Sequence, residues 1–169
     1  GDDDIVNSGT GNDYIEAGDG DDTINSGIGN DEIKGGSGVD TIKAGTGNDT
    51  IAGGLGNDAL HGEAGADTIR GDEGNDLIYG GDGDDTLYGG SGNDTLEDGS
   101  GSTASLANKL YGDSGEEILK GGDASDEIDG GTEKDTITGG GGNDVIRGGD
   151  GEATISGGAG DAAISGEKG

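Results

Sequence analysis

The sequence predicts an all-β protein, a parallel solenoid of the β-helix kind in which two nine-residue repeats (18 residues) form each coil. Three observations support this fold class. Aliphatic residues recur at nine-residue steps along most of the chain, glycine and acidic residues dominate the stretches between them, and only 25% of the 169 residues are hydrophobic. Such a small hydrophobic fraction cannot fill a globular core, whereas stacked repeats share a core that each builds with its neighbours.

The clearest repeat is the stretch 80–88, with the sequence GGDGDDTLY. Its first six residues, here called the head, are glycine and acid, which suit a turn that carries oxygen ligands. Its last three residues, the tail, place one aliphatic side chain between two outward-facing neighbours, as in a short strand. Numbering the positions from one to nine puts this core aliphatic residue at the eighth position.

The eighth position defines 18 copies of the repeat. Eleven copies follow one another without a slip, with core residues Val6, Ile15, Ile24, Ile33, Ile42, Ile51, Leu60, Ile69, Ile78, Leu87 and Leu96. Seven more follow, with Leu110, Leu119, Ile128, Ile137, Ile146, Ile155 and Ile164. Because each head reverses the chain, neighbouring copies are predicted to lie on opposite sheets and residues 18 apart to stack in parallel ladders. The prediction is a solenoid of about nine coils.

One head is longer than the others, because eleven residues at 98–108 replace the usual six. We therefore predict one continuous solenoid with three parts. These are a regular repeat block at residues 1–101, an insertion loop in one turn at residues 102–107, and a second, degenerating repeat block at residues 108–169.

Carboxylates at the sixth position predict metal binding. Stacked coils bring them within about 5 Å of one another, where repulsion amounts to roughly 1 kcal/mol even in water, so cations are expected between the coils. Ca²⁺ accepts six to eight oxygens, backbone carbonyls included, whereas Mg²⁺ needs a tighter octahedron and zinc prefers His or Cys. The candidate calcium ligands are Asp4, Asp13, Asp22, Asp31, Asp40, Asp49, Asp58, Asp67, Asp76, Asp85, Asp94, Asp126, Asp135 and Asp144.

These ligands form two edges of the solenoid and predict about ten complete sites, five on each edge. About ten calcium ions would cancel about 20 of the 30 net negative charges. Asn108, Glu117, Ala153 and Ala162 stand at the sixth position in the other copies, which leaves the neighbouring sites in question. We predict calcium to be weak or absent beside the two alanines.

Charge and composition exclude several other functions. Eight Lys and Arg residues against 38 Asp and Glu residues would repel nucleic acid and anionic membranes, and no apolar run approaches the length of a membrane span. The only histidine, His61, is expected to be solvated, and no pairing of a nucleophile with a base is evident, so we predict that the chain is not an enzyme. Tyr88 is expected to stack beside Tyr111.

The repeat G-G-x-G-x-D-x-U-x, with U aliphatic, resembles the calcium-binding nonapeptide repeat of the RTX (repeats-in-toxin) family. The resemblance covers nearly the whole chain. It implies a parallel β-roll with Ca²⁺ between successive turns, bound by the sixth-position aspartates and by carbonyls of the heads. It also implies export by type I secretion machinery and a place within a larger toxin, protease, lipase, epimerase, adhesin or surface-layer protein.

We therefore predict a non-catalytic calcium-binding module of a larger secreted or cell-surface protein, which folds on Ca²⁺ binding after export. Its expected partners are calcium ions, the rest of a longer chain and the secretion machinery, and exposed ladder edges would permit end-to-end self-association. Two alternatives remain open. The roll could display an adhesive or ligand-binding surface for polysaccharide, a receptor or ice, or it could be an accessory module of a secreted enzyme.

Overall fold

The computed structural model describes residues 2–99 and 107–166 of the chain. These residues form a solenoid of two nine-stranded parallel sheets, in which each strand pairs with the strands two before and two after it. The predicted all-β parallel solenoid is confirmed. The predicted insertion loop at 102–107 lies outside the described residues, apart from Ala107.

The strands alternate between the two sheets along the chain. The first sheet contains β1 (Ile5–Thr10), β3 (Thr23–Ile28), β5 (Thr41–Thr46), β7 (Ala59–Ala64), β9 (Leu77–Asp82), β11 (Thr95–Glu97), β13 (Ile118–Lys120), β15 (Thr136–Thr138) and β17 (Thr154–Ser156). The second contains β2 (Tyr14–Asp19), β4 (Glu32–Ser37), β6 (Thr50–Leu55), β8 (Thr68–Glu73), β10 (Thr86–Ser91), β12 (Lys109–Ser114), β14 (Glu127–Asp129), β16 (Val145–Arg147) and β18 (Ala163–Ser165). Over the described parts of the chain, no helix has the length and hydropathy needed to cross a membrane.

The register of the ladders follows the eighth position throughout. Stacked partners are 18 residues apart, except where β10 pairs with β12 and β11 pairs with β13. In these two pairs Leu87 aligns with Leu110 and Leu96 aligns with Leu119, which are 23 residues apart. The extra residues between these strands therefore do not shift the ladder, and the predicted restart at Leu110 is confirmed. The core consists of the eighth-position side chains from Ile15 to Ile146, which are buried between the sheets.

The core is weaker at both ends of the described solenoid. Val6 and Ile155 are only partly buried, and Ile164 exposes 51% of its surface. Each of these residues has a covering coil on one side only, so the aliphatic contacts that bury the interior residues are incomplete here.

Eleven strands are longer than the three-residue tail that the sequence suggested. β1 to β10 and β12 each continue through the first three residues of the following head. The assignment of the whole head to turn was wrong in these copies, because residues such as Gly18 and Gly36 stay aligned between coils and keep the ladder going. Gly36 has a φ of 124°, which bends the strand into the turn at a residue without a Cβ.

Candidate metal centres

The sixth-position carboxylates lie immediately before the strands, at the two edges where the chain passes from one sheet to the other. The first edge carries Asp4, Asp22, Asp40, Asp58, Asp76, Asp94, Glu117 and Asp135. The second carries Asp13, Asp31, Asp49, Asp67, Asp85, Asp126 and Asp144, and the amide of Asn108 takes the place of a carboxylate between Asp85 and Asp126. Twelve of the fourteen predicted ligands are buried. Asp4 is exposed and Asp13 is half-buried, since no coil precedes them.

One oxygen of each buried carboxylate is used to hold the coils together. From Asp22 onward, Oδ1 of each of these aspartates accepts a hydrogen bond from the backbone N–H of the sixth-position residue one coil earlier, at 2.7–3.1 Å. The aspartate carbonyl adds a second link, for example by accepting from Thr41 N at 2.8 Å for Asp22. The sixth residue is therefore fixed at both its side chain and its backbone.

The second oxygen of most of these carboxylates has no hydrogen-bond partner. Oδ2 is buried and unpaired in Asp22, Asp40, Asp49, Asp58, Asp67, Asp76, Asp85, Asp94, Asp126, Asp135 and Asp144. Buried anionic oxygens are normally hydrogen-bonded or bound to a cation, and an isolated one is strongly unfavourable. A row of such oxygens is what a set of cation sites requires.

Backbone carbonyls approach the same points. A methyl carbon placed on Gly89 would lie 2.5 Å from Asp94 Oδ2 and 2.7 Å from the carbonyl oxygen of Gly112 on the next coil. The same pair of oxygens recurs at Gly121, with Asp126 Oδ2 at 2.5 Å and Gly139 O at 2.7 Å. Because the first head residue is glycine, a small space remains beside it, and a carboxylate oxygen and a carbonyl oxygen both face this space.

The chemistry of these donors fits calcium. Among the described residues, no group of three or more His, Asp or Glu side chains converges on one point. Each gap between coils therefore offers one or two carboxylates together with carbonyl oxygens, a mixed set that Ca²⁺ accepts in its loose geometry. The histidine and cysteine ligands preferred by zinc are not part of this set.

Burial changes the acidity of these carboxylates. It raises the pKa of Asp67 to about 7, and the charges of Asp85 and Asp49 on the adjacent coils add to the rise, while the hydrogen bond from Asp49 opposes it. Burial likewise raises the pKa of Asp58 and Asp76 to about 6. Without a counter-ion, these groups hold their protons more firmly than exposed aspartates do.

The copies that depart from aspartate differ from one another. Glu117 is buried with both carboxylate oxygens unpaired, and burial, followed by its contact with Asp135, raises its pKa. Its position matches that of the aspartates, so it places a carboxyl group at this edge. Beside Ala153 and Ala162 the corresponding space is apolar: a methyl carbon on Gly157 would meet the Ala162 methyl at 2.8 Å.

Two features of the heads were not predicted from the sequence. Fifth-position asparagines link coils, because Oδ1 of residues such as Asn12, Asn30 and Asn75 accepts from a backbone N–H one coil later, at 2.7–2.9 Å. Asp98, which occupies a first head position, is buried and has an unpaired Oδ1. The only signal for Asp98 in the sequence is an acidic residue where neighbouring copies have glycine.

The outward-facing ninth-position side chains stack between coils. The rings of Tyr88 and Tyr111 stack as predicted, with centroids 5.1 Å apart, and the Arg70 guanidinium lies 4.5 Å from the centre of the Tyr88 ring. His61 stacks on Tyr79 at 4.9 Å and is half-buried. His61 faces outward as predicted, but it is only partly solvated, because the Tyr79 ring one coil later covers one of its faces.

The fold and these edges together define a calcium-binding parallel β-roll. The model of the RTX calcium-binding nonapeptide repeat matches residues 1–33, 34–69, 61–96, 111–146 and 129–164. The chain belongs to this family, and the resemblance that its repeat suggested is confirmed. A comparison with curated proteins gave no match.

Proposed function

We propose that this chain is a non-catalytic module of a larger secreted or cell-surface protein, and that it folds only when calcium binds after export. The single observation that carries the proposal is the pair of carboxylate rows, in which buried Oδ2 atoms lack hydrogen-bond partners. Membership of the RTX family supports the calcium-binding part and makes a secreted setting, with type I export, the natural expectation.

The charge of the chain supports coupling of folding to calcium. A net charge of −30 with 25% hydrophobic residues gives the metal-free chain the composition of a disordered polymer. When bound, Ca²⁺ supplies the positive charge that the two carboxylate rows need. The chain's own residues then do the rest: Oδ1 atoms tie successive heads together, Oδ2 atoms and head carbonyls face the cation, and the eighth-position aliphatic residues close the core.

The difference in calcium concentration between the cytosol and the outside of the cell would determine where the chain folds. Weak, multiple sites remain empty at the low calcium level of the cytosol and fill at the higher level outside cells, which keeps the chain unfolded for export. The lone histidine supports a non-catalytic role: it stacks on Tyr79 on an outer face, away from the carboxylate rows at the edges.

Circular dichroism of the chain in chelator, in Mg²⁺ and in Ca²⁺ tests this proposal. We expect a disordered spectrum in chelator and in Mg²⁺, and a β spectrum that develops cooperatively at extracellular calcium concentrations. A β spectrum that survives chelation at neutral pH would refute calcium-dependent folding.

A further inference from the structure

Asp98 is a buried carboxylate in the one described copy whose sixth residue is an asparagine. It stands at the first head position, where Gly80 and Gly121 stand in the preceding and following copies on the same edge. It exposes only 5% of its surface, and its Oδ1 atom has no hydrogen-bond partner. A buried, unpaired anion at a position normally held by glycine needs a partner of opposite charge.

Side chains at the first head position reach the sixth-position side chain of the same head. The Ser26 hydroxyl donates to Asp31 Oδ2, and the Ser8 hydroxyl does the same to Asp13 Oδ2. Where the first residue is glycine, as at Gly80, an added methyl carbon would lie 2.5 Å from Asp85 Oδ2. A first-position side chain therefore enters the space that Oδ2 of the sixth residue faces.

Asn108 performs only half of the role of a sixth-position aspartate. Its Oδ1 accepts from Asp85 N at 2.7 Å, so it preserves the link between coils. Its amide Nδ2 donates toward Asp126 Oδ1 at 3.4 Å, and an amide nitrogen offers no lone pair to a cation. This head thus has a carboxylate at the first position and an amide at the sixth. The neighbouring heads on this edge have a glycine at the first position and a carboxylate at the sixth.

We propose that Asp98 is the anionic calcium ligand of this coil, replacing the carboxylate that Asn108 lacks. The second edge then carries an unbroken row of anions from Asp85 through Asp98 to Asp126, and the two gaps beside Asn108 become complete sites. The inference rests on the proposed calcium binding and deepens it.

The surroundings of Asp98 agree with this role. Its Oδ2 faces the following coil, since a methyl carbon on Gly122 would lie 3.0 Å from it. Burial, and after it the charges of Asp85 and Asp126, raise the pKa of Asp98 to about 8. Asp85 and Asp126 stand at the sixth position on the two adjacent coils of this edge, where they would share calcium with Asp98.

Counting bound calcium in charge-matched variants tests the assignment. Asp98→Asn removes the charge at nearly constant size, and Asp123→Asn removes the same charge from an exposed side chain in the head one coil later on the same edge. By equilibrium dialysis at a free calcium concentration that just saturates the unaltered chain, we expect Asp98→Asn to bind about two fewer ions, one for each flanking gap. Asp123→Asn should bind the full number.

Exchanging the residue types at positions 98 and 108 distinguishes a calcium-binding role of Asp98 from a purely structural one. Asp98→Gly alone should lose about two ions, whereas Asp98→Gly combined with Asn108→Asp restores glycine at the first head position and aspartate at the sixth, and should recover them. Equal stoichiometry in Asp98→Asn and the unaltered chain would overturn the inference, and so would a swap that recovers nothing. If Asp98→Asn fails to fold in calcium, recovery of the β spectrum by the swap decides the question in the same way. An unaltered chain that binds no calcium would instead refute the proposed function.

Discussion

At the scale of single residues, the two oxygens of the sixth-position aspartate have different tasks. In Asp67, Oδ1 accepts from the backbone of Asp49 at 2.8 Å, while Oδ2 is buried without a partner. An asparagine can perform the first task, as Asn108 does, but its second side-chain atom is an amide nitrogen, which cannot bind a cation. These two tasks explain why the sixth position, although it also links the coils, is acidic in nearly every copy.

The raised pKa values of these residues predict a dependence on pH. Burial raises the pKa of Asp58, Asp76 and Asp126 to about 6 and that of Asp67 to about 7, against an ordinary value of 3.8. Groups with a higher pKa in the folded state stabilise it fully below about pH 4, and this stabilisation is lost as the pH rises through about 6 to 7. The chelated chain should therefore show more β structure near pH 4.5 than near pH 7.5.

Protons and calcium compete for the same oxygens, so the calcium midpoint should rise as the pH falls below about 6. Circular dichroism titrations at several pH values measure both effects. A chelated chain that is equally disordered at both pH values, or a calcium midpoint that falls in acid, would contradict this account.

The sequence predicted the sixth-position aspartates because they are periodic, and it missed Asp98 because the role proposed for it depends on Asn108, ten residues later in the chain. Three acidic residues at the second head position, Glu63, Asp72 and Asp113, were also missed. They adopt a positive φ of 69–75°, a conformation that a repeat pattern assigns to glycine. Such exceptions are visible only when stacked coils are compared with one another.

At the scale of secondary-structure elements, the coil formed by β17 and β18 differs from the others in what holds it. β15 pairs with β17 and β16 pairs with β18 in the regular register. Ala153 and Ala162 supply no carboxylate, so neither Asp135 N nor Asp144 N has the side-chain acceptor that earlier copies provide. Backbone pairing and the aliphatic contacts of Ile155 and Ile164 are what remain.

Restoring the carboxylates should therefore strengthen this coil. The double substitution Ala153→Asp and Ala162→Asp is expected to raise calcium stoichiometry by about two ions and to slow amide exchange after Asp150. Hydrogen exchange with and without calcium measures the second effect. Unchanged stoichiometry would contradict the expected gain of sites, and calcium bound at full strength beside the two alanines of the unaltered chain would show that carbonyls alone suffice.

The strands themselves were predicted in number and order but not in length. A period of nine fixes which side chain faces the core, and every later pairing follows from it. The continuation of β4 or β8 into the next head depends on hydrogen bonds between coils, such as Gly56 N to Glu73 O at 2.8 Å, which involve residues with no hydrophobic pattern. Periodicity locates the core residues, whereas backbone pairing sets where a strand ends.

At the scale of the whole molecule, stability is expected to spread between neighbouring coils only. Each coil contacts the one before and the one after, so the solenoid behaves as a one-dimensional array in which a defect acts locally and interrupts coupling. A site flanked by complete sites on both sides should therefore matter more than a site beside an existing defect.

Asp49 and Asp144 provide a matched pair for this prediction, because both lie on the second edge and both have a buried, unpaired Oδ2. Asp49 Oδ1 accepts from Asp31 N, and Asp49 lies between Asp31 and Asp67 on its edge, so Asp49→Ala disrupts two complete gaps in the interior of the roll. Asp144→Ala disrupts one complete gap, since the gap toward Ala162 already lacks a second carboxylate. We expect Asp49→Ala to lose about two calcium ions and Asp144→Ala about one, with the larger rise in calcium midpoint for Asp49→Ala. Equal midpoints in the two circular dichroism titrations would mean that coupling extends over the whole roll. A larger effect of Asp144→Ala would mean that the second repeat block, residues 108–169, contributes more to the stability of the molecule than the first.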